Sequence, residues 1–261
     1  MKTPIFILCL IVSVLEAATV KRAFKVYRGE KISSWSNNQF KFVVGLSGAA
    51  DCTGTIYNAR NVLSAAHCFT GEVKPTNVVF ESVNMEVGSP FTIGIKNIYM
   101  RKGYTTNCNT DSVNGKDVAI VKMVAAIPLT QLDVNVVKIN FDSRPTVGSI
   151  VTVVGYGIDD YTNESSGILK TGQMVVAKCR KGRWTGNPVC VRDRVDLLNR
   201  HLQPGDSGGP ILLQVDGVYV QYGIASGVVK FSDESHEVVY SSPATIENKK
   251  HIEKYTTSQY D

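Results

Sequence analysis

The sequence predicts an all-β protein closed by one short C-terminal helix. Three observations lead there. From Phe40 onward, short apolar runs rich in β-branched residues recur along the chain. Each run is bounded by Gly, Asn, Asp or Pro, the residues that end strands and open turns. Helical periodicity is missing until the end of the chain.

In chain order, the first strands are Lys41-Phe42-Val43-Val44-Gly45, Asn61-Val62-Leu63, Val78-Val79-Phe80 and Asp117-Val118-Ala119-Ile120-Val121. A second set follows: Ile150-Val151-Thr152-Val153-Val154, Gly172-Gln173-Met174-Val175-Val176, Ile211-Leu212-Leu213 and Val218-Tyr219-Val220. Between the sets, Ala125 to Asp142, with Pro128 inside it, reads as a crossing between two β halves. Pro243 to Tyr255 places Ile246, Ile252 and Tyr255 at helical spacing with charges between them. There is no internal repeat, low-complexity tract or linker.

Composition narrows the function classes. The chain has 261 residues, 43% of them hydrophobic and 20% charged, which is globular and not disordered. Its net charge is +5, of which +3 falls in the first 25 residues, so the rest is close to balance. A nucleic-acid binder would need a concentrated basic face. With 22 glycines, 9 prolines and no apolar run near the length of a membrane span, a membrane bundle is also excluded as a reading.

The N-terminus reads as a targeting segment. Lys2 precedes an apolar stretch from Pro4 to Leu15, followed by Glu16-Ala17-Ala18. A charged start, a short apolar core and a small-residue exit describe a secretory signal peptide over residues 1–17, with the cut open between Ala17 and Ala18. The apolar stretch is too short for an anchor. The expected destination is therefore extracellular, where cysteines pair. Cys9 leaves with the signal, and Cys52, Cys68, Cys108, Cys179 and Cys190 remain. Five is odd, so at least one thiol is free, capped or joined to another chain. No pair has C-x-x-C spacing, and no metal site is expected.

The chemistry concentrates in Gly205-Asp206-Ser207-Gly208-Gly209-Pro210. A nucleophilic serine needs an exposed hydroxyl beside backbone N–H groups aimed at a developing oxyanion, and glycines permit the dihedrals this requires. A serine at its free pKa is a poor nucleophile; it needs a base, and the base needs a carboxylate to orient it. Ser64-Ala65-Ala66-His67-Cys68 supplies a histidine after a strand, and Lys116-Asp117-Val118-Ala119-Ile120 an aspartate at the head of one. Each has a bland reading alone, as a satisfied interior histidine or a strand cap. The three together, in the order His, Asp, Ser, point to acyl transfer.

These residues, with Cys52-Thr53-Gly54-Thr55-Ile56, Arg101-Lys102-Gly103-Tyr104, Gly155-Tyr156-Gly157 and Ile224-Ala225-Ser226-Gly227, make the chain resemble a trypsin/chymotrypsin-like serine peptidase over nearly all of its secreted part. The resemblance implies an all-β fold of two packed six-stranded antiparallel β-barrels (chymotrypsin-like), with the short C-terminal helix and a cleft between the barrels. It implies that Ser207 attacks, His67 moves the proton and Asp117 orients His67. It also implies that the N–H groups of Gly205 and Ser207 form the oxyanion hole, and that Ser226 bonds near the buried aspartate on the substrate-binding strand. Cys52–Cys68 and Cys179–Cys190 are the implied disulfides. A departure stands at Gln203, where the family usually has a cysteine, and Cys108 has no obvious partner. No cofactor is implied. Partners implied are protein or peptide substrates, an activating trypsin-like protease and macromolecular inhibitors, with no nucleic acid and no membrane.

Asp206 is expected to be buried, and a buried carboxylate needs a partner. In animal relatives the partner is a new N-terminal ammonium. Here Val26-Tyr27-Arg28-Gly29 resembles that start, which makes Lys25 the activating cut, residues 18–25 a propeptide and residues 26–261 the peptidase domain. Lys21-Arg22 is a second, dibasic processing site. The alternative partner is Arg180, in a segment similar to that of bacterial relatives that need no cleavage.

Specificity maps by the same resemblance. His201 stands where trypsin-like preference needs a carboxylate, and Val228 and Val238 stand at the pocket walls. Two valines predict cleavage after small aliphatic residues; a protonated His201 attracting an acidic side chain is the second choice. Asn163-Glu164-Ser165 is a glycosylation sequon. Lys178, Arg180, Lys181 and Arg183 form a basic cluster that reads as solvated surface or an exosite. The rival functional class is a catalytically silent homologue acting as a binding module.

Overall fold

The structure is a computed structural model describing residues 29–87, 91–105, 115–158, 167–180, 186–193, 202–231 and 236–255. Strands account for most of its regular structure, and they close into two antiparallel barrels. Lys25, Val26, Cys108, Asn163, Lys181, Arg183 and His201, with the signal segment and Lys21-Arg22, lie outside the described residues.

The first barrel uses β2 (Val43–Gly48), β3 (Cys52–Ile56), β4 (Asn61–Ser64), β5 (Pro75–Phe80), β6 (Phe91–Met100) and β7 (Ala119–Met123). The strands close in the order β2-β3-β4-β7-β6-β5. Full closure leaves no unpaired edge. Its interior is filled by Val44, Leu46, Ile56, Leu63, Phe80, Ile120 and their neighbours.

The second barrel uses β9 (Ile150–Gly155), β10 (Lys170–Ala177), β11 (Val189–Arg192), β12 (Pro210–Val215), β13 (Val218–Lys230) and β14 (His236–Ser241). β9 pairs with both β10 and β12, which closes it. Val151 and Val153 point into its core with Met174, Val176, Val191, Val238 and Tyr240, the alternation expected of barrel strands. β1 (Glu30–Lys31) adds to β10, and β8 (Lys138–Ile139) runs parallel beside β13. The predicted crossing from Ala125 to Asp142 is thus a surface connection that contributes one short strand.

Residues from both halves pack together at the junction. Phe40, Phe42, Val43, Val154, Tyr156, Leu169 and Leu212 form one buried cluster. Hydrogen bonds cross there too: Thr55 Oγ1 donates to Gln221 Oε1 at 2.9 Å, and Tyr156 Oη donates to Ser82 O at 2.6 Å.

The predicted terminal helix is α1 (Ile246–Lys254), capped by Thr245, whose side chain accepts the Asn248 N–H. The expected buried face is corrected in part. Ile252 is buried, but Ile246 is 69% exposed, and the second buried residue of the helix is Asn248. Asn248 Nδ2 donates to the carbonyls of Gly115 and Ser242, which fastens the helix by polar contacts that apolar spacing does not reveal.

Both predicted disulfides form, Cys52–Cys68 and Cys179–Cys190. The first closes a loop with a sequence separation of 16. In the chain-entropy account a loop of that size contributes about 3 kcal/mol. Replacing Cys52 and Cys68 together by serine is expected to lower unfolding stability by about that amount in urea titration. A loss below about 0.5 kcal/mol would show that the bridge adds nothing to a turn already fixed by its neighbours.

Candidate active site

His67 is delivered by a short 3-10 turn, Ala66–Phe69, that follows β4 directly. The turn is tied to β3 through the Cys52–Cys68 bridge, so the imidazole is fixed from both sides. Asp117 precedes β7, the strand paired with β4, and the antiparallel register Ser64↔Ala119 brings the two segments together. The 50-residue separation in sequence becomes contact.

The carboxylate of Asp117 is completely buried and accepts three hydrogen bonds. Oδ1 accepts the backbone N–H of His67 at 2.9 Å. Oδ2 accepts His67 Nδ1–H at 2.6 Å and Ser226 Oγ–H at 2.6 Å. With Nδ1 protonated, the lone pair of Nε2 faces Ser207 Oγ at 2.7 Å and accepts its proton. Ser226 reaches the carboxylate because β13 bulges there. Ala225 pairs with Tyr240 and Gly227 with Val239, leaving Ser226 as the extra residue. A bulge re-aims a side chain in this way beside a reactive centre.

The electrostatics follow from burial and pairing. For His67, burial opposes the charged ring, but the charge of Asp117 and the hydrogen bond to it win, and the pKa lies above its ordinary 6.5. For Asp117, burial opposes ionisation, yet the His67 charge and the bonds from His67 and Ser226 hold the carboxyl below its ordinary 3.8. The pair is thus arranged to stabilise an imidazolium once one forms.

The loop before Ser207 is shaped by a second buried carboxylate. Asp206 is fully buried; its Oδ1 accepts the Gly157 N–H and its Oδ2 the Gln203 N–H, each at 3.0 Å. The Gly155-Tyr156-Gly157 motif has its explanation here. A Cβ on Gly155 would lie 2.2 Å from Asp206 Oδ1, and one on Gly157 would lie 2.6 Å from Asp206 Cγ. Arg180, the alternative partner for Asp206, has its guanidinium carbon 3.5 Å above the ring of Phe231.

Gly205 has φ +94°, a value that favours glycine. Among the described residues no acceptor takes the N–H of Gly205 or of Ser207. Val228 and Val238 face each other across β13 and β14; Val238 is completely buried and Val228 half-buried. Tyr240, two residues beyond Val238 on the same face, is also completely buried. Burial and the nearby Asp206 charge push its hydroxyl pKa well up.

One further residue enters the site that the sequence reading did not single out. Thr53 places its hydroxyl between Gly205 O and Tyr156 N–H, at 2.7 and 3.0 Å. Its signal in the sequence is its place in the Cys52-Thr53-Gly54-Thr55-Ile56 motif, which assigns no role to its hydroxyl.

A family profile described as Trypsin matches residues 31–247. The chain belongs to the Trypsin family. Members of this family named as proteases are among its relatives. It is 28% identical over 211 residues to the cercarial protease of Schistosoma mansoni, covering 72% of this chain and 79% of that protein. It is 24% identical over 214 residues to trypsin zeta of Drosophila melanogaster, covering 74% and 71%. The structure of the scabies mite inactivated protease paralogue S-I1 superposes with a TM-score of 0.67 at 23% identity, over 87% of this chain and 99% of that one. That likeness identifies the two barrels as the chymotrypsin-like fold.

Proposed function

We propose that this Trypsin-family member is a secreted serine endopeptidase made as a zymogen. The observation that carries the reading is the unbroken hydrogen-bond chain Asp117–His67–Ser207, at 2.6 and 2.7 Å. Ser207 Oγ attacks the peptide carbonyl while His67 Nε2 takes its proton; His67 then protonates the leaving amine. Water, deprotonated by the same nitrogen, hydrolyses the acyl-enzyme and returns the proton to Ser207. Asp117 keeps Nδ1 protonated and stabilises the imidazolium. The N–H groups of Gly205 and Ser207, free of acceptors among the described residues, receive the oxyanion, a contribution of about 3–4 kcal/mol per donor.

Cleavage after Lys25 releases the Val26 ammonium, whose partner in this reading is Asp206. The Gly155-Tyr156-Gly157 segment, which places Cys179 in a loop of the animal type, supports that choice over Arg180. The charged start and short apolar core ending near Ala17, with two disulfides in place, support secretion. In this reading Val228 and Val238, paired across β13 and β14, narrow the site for the residue preceding the cut to small aliphatic side chains.

The form beginning at Val26 is expected to react with a fluorophosphonate at Ser207 and to cleave a peptide library mainly after Ala or Val. A form extended by one residue before Val26 is expected to do neither. No labelling of the Val26 form would sustain the silent binding module instead, and cleavage mainly after Arg or Lys would overturn the assignment of the valine walls.

A further inference from the structure

Thr53 sits in β3 with no exposed surface, and each of its polar atoms is engaged near the nucleophile. Its N–H donates to Ser207 O at 2.8 Å, and its carbonyl accepts Ser64 Oγ–H at 2.8 Å. Its hydroxyl donates to Gly205 O at 2.7 Å and accepts the Tyr156 N–H at 3.0 Å. One side chain of the first barrel therefore spans two backbone segments of the second.

The effect on Gly205 is specific. The peptide joining Gly205 to Asp206 is held at both ends, its oxygen by Thr53 Oγ1 and its N–H by Gln203 O at 3.0 Å. The latter bond closes a turn with Pro204 and Gly205 at its corners, and φ +94° at Gly205 is the type II pattern. The turn is pressed against its neighbour: a Cβ on Gly205 would lie 2.6 Å from Gly157 Cα. The carbonyls of Gly205 and Ser207, the two residues proposed to supply the oxyanion donors, are thus both bonded to Thr53.

We infer that Thr53 is a positioning residue for the oxyanion hole, its hydroxyl fixing the Gly205–Asp206 peptide plane and hence the spacing of the two donors. This rests on the endopeptidase reading. The hydroxyl braces, from the first barrel, the loop in which Gln203 replaces the usual family cysteine. Without it the buried Gly205 carbonyl and the Tyr156 N–H lose their shared partner, and the turn is free to shift against Gly157.

The test compares Thr53→Val, which keeps the shape, with Thr53→Ser, which keeps the hydroxyl, in the Val26 form counted by active-site titration. Thr53→Val is expected to lower kcat about 10- to 100-fold with KM within about twofold, and to slow fluorophosphonate labelling equally. Thr53→Ser is expected to stay within about threefold of wild type. A purely structural threonine predicts lower urea midpoints with kcat per titrated site unchanged, and that result overturns the inference. A wild type that does not label refutes the endopeptidase reading separately. Crystal structures then decide the tether: an unmoved Gly205–Asp206 peptide in Thr53→Val overturns it, and a rotated one upholds it.

Discussion

Replacing Ser207 by alanine is expected to lower kcat by about 10⁶ while the far-ultraviolet circular dichroism and urea midpoint stay close to wild type. The size of the loss follows from the geometry. His67 Nε2 has Ser207 Oγ as its proton donor at 2.7 Å, and alanine leaves the base with no nucleophile to activate. Asp117 and the imidazole keep their own bonds at 2.6 Å, so the fold has no reason to loosen. The residual rate comes from the oxyanion donors and substrate binding alone. A variant retaining more than a tenth of wild-type kcat would remove Ser207 from the mechanism.

Asp117→Asn is the second large effect, about 10⁴ in kcat. Asp117 accepts from three donors, and asparagine replaces one carboxylate oxygen by an NH₂ group. If the amide oxygen keeps the backbone N–H of His67, the NH₂ faces the imidazole and Ser226, both donors in the native arrangement. The ring then turns to the tautomer protonated at Nε2, which cannot accept the Ser207 proton. The pH profile carries an independent signature. Activity requires neutral His67, so in the native protein it rises through a pKa held above 6.5 by the Asp117 charge. Asparagine removes that charge and leaves burial, so the acid limb of kcat/KM is expected to move to lower pH. An unmoved limb would mean that another group titrates there.

Stability runs the other way with pH. The raised His67 pKa contributes stability that is complete below 6.5 and fades as pH rises through the folded value. The lowered Asp117 pKa contributes stability that is complete above 3.8 and is lost as pH falls through the folded value. The pair therefore supports the fold best between those ordinary values, on the acid side of the range in which the proposed mechanism needs His67 neutral.

How much was legible in the sequence depends on how local each feature is. His67, Asp117 and Ser207 stood in short motifs whose residue types are dictated by chemistry, and all three meet in the structure. Strands such as Ile150–Gly155 announced themselves as runs of β-branched residues closed by a glycine. β6 did not, since Phe91–Met100 is mostly half-exposed and interrupted by Gly94, Lys96 and Asn97. β14 was hidden for a different reason. It opens with His236 and Glu237, and the fully buried Glu237 is paired with Arg192 from β11, with Nε at 3.0 Å and Nη2 at 2.5 Å, and accepts the Arg180 N–H at 3.4 Å. Thr53 lay deeper still, because its hydroxyl acquires meaning only through a contact with Gly205 across 152 positions of chain.

The junction between the barrels holds a final implication. Ser207 and Ser226 ride on one lobe and His67 and Asp117 on the other, so the proposed proton transfer would depend on the closure of the seam between them. Anything that parted the two lobes would then be expected to stop the proposed reaction without touching any of the three reacting side chains.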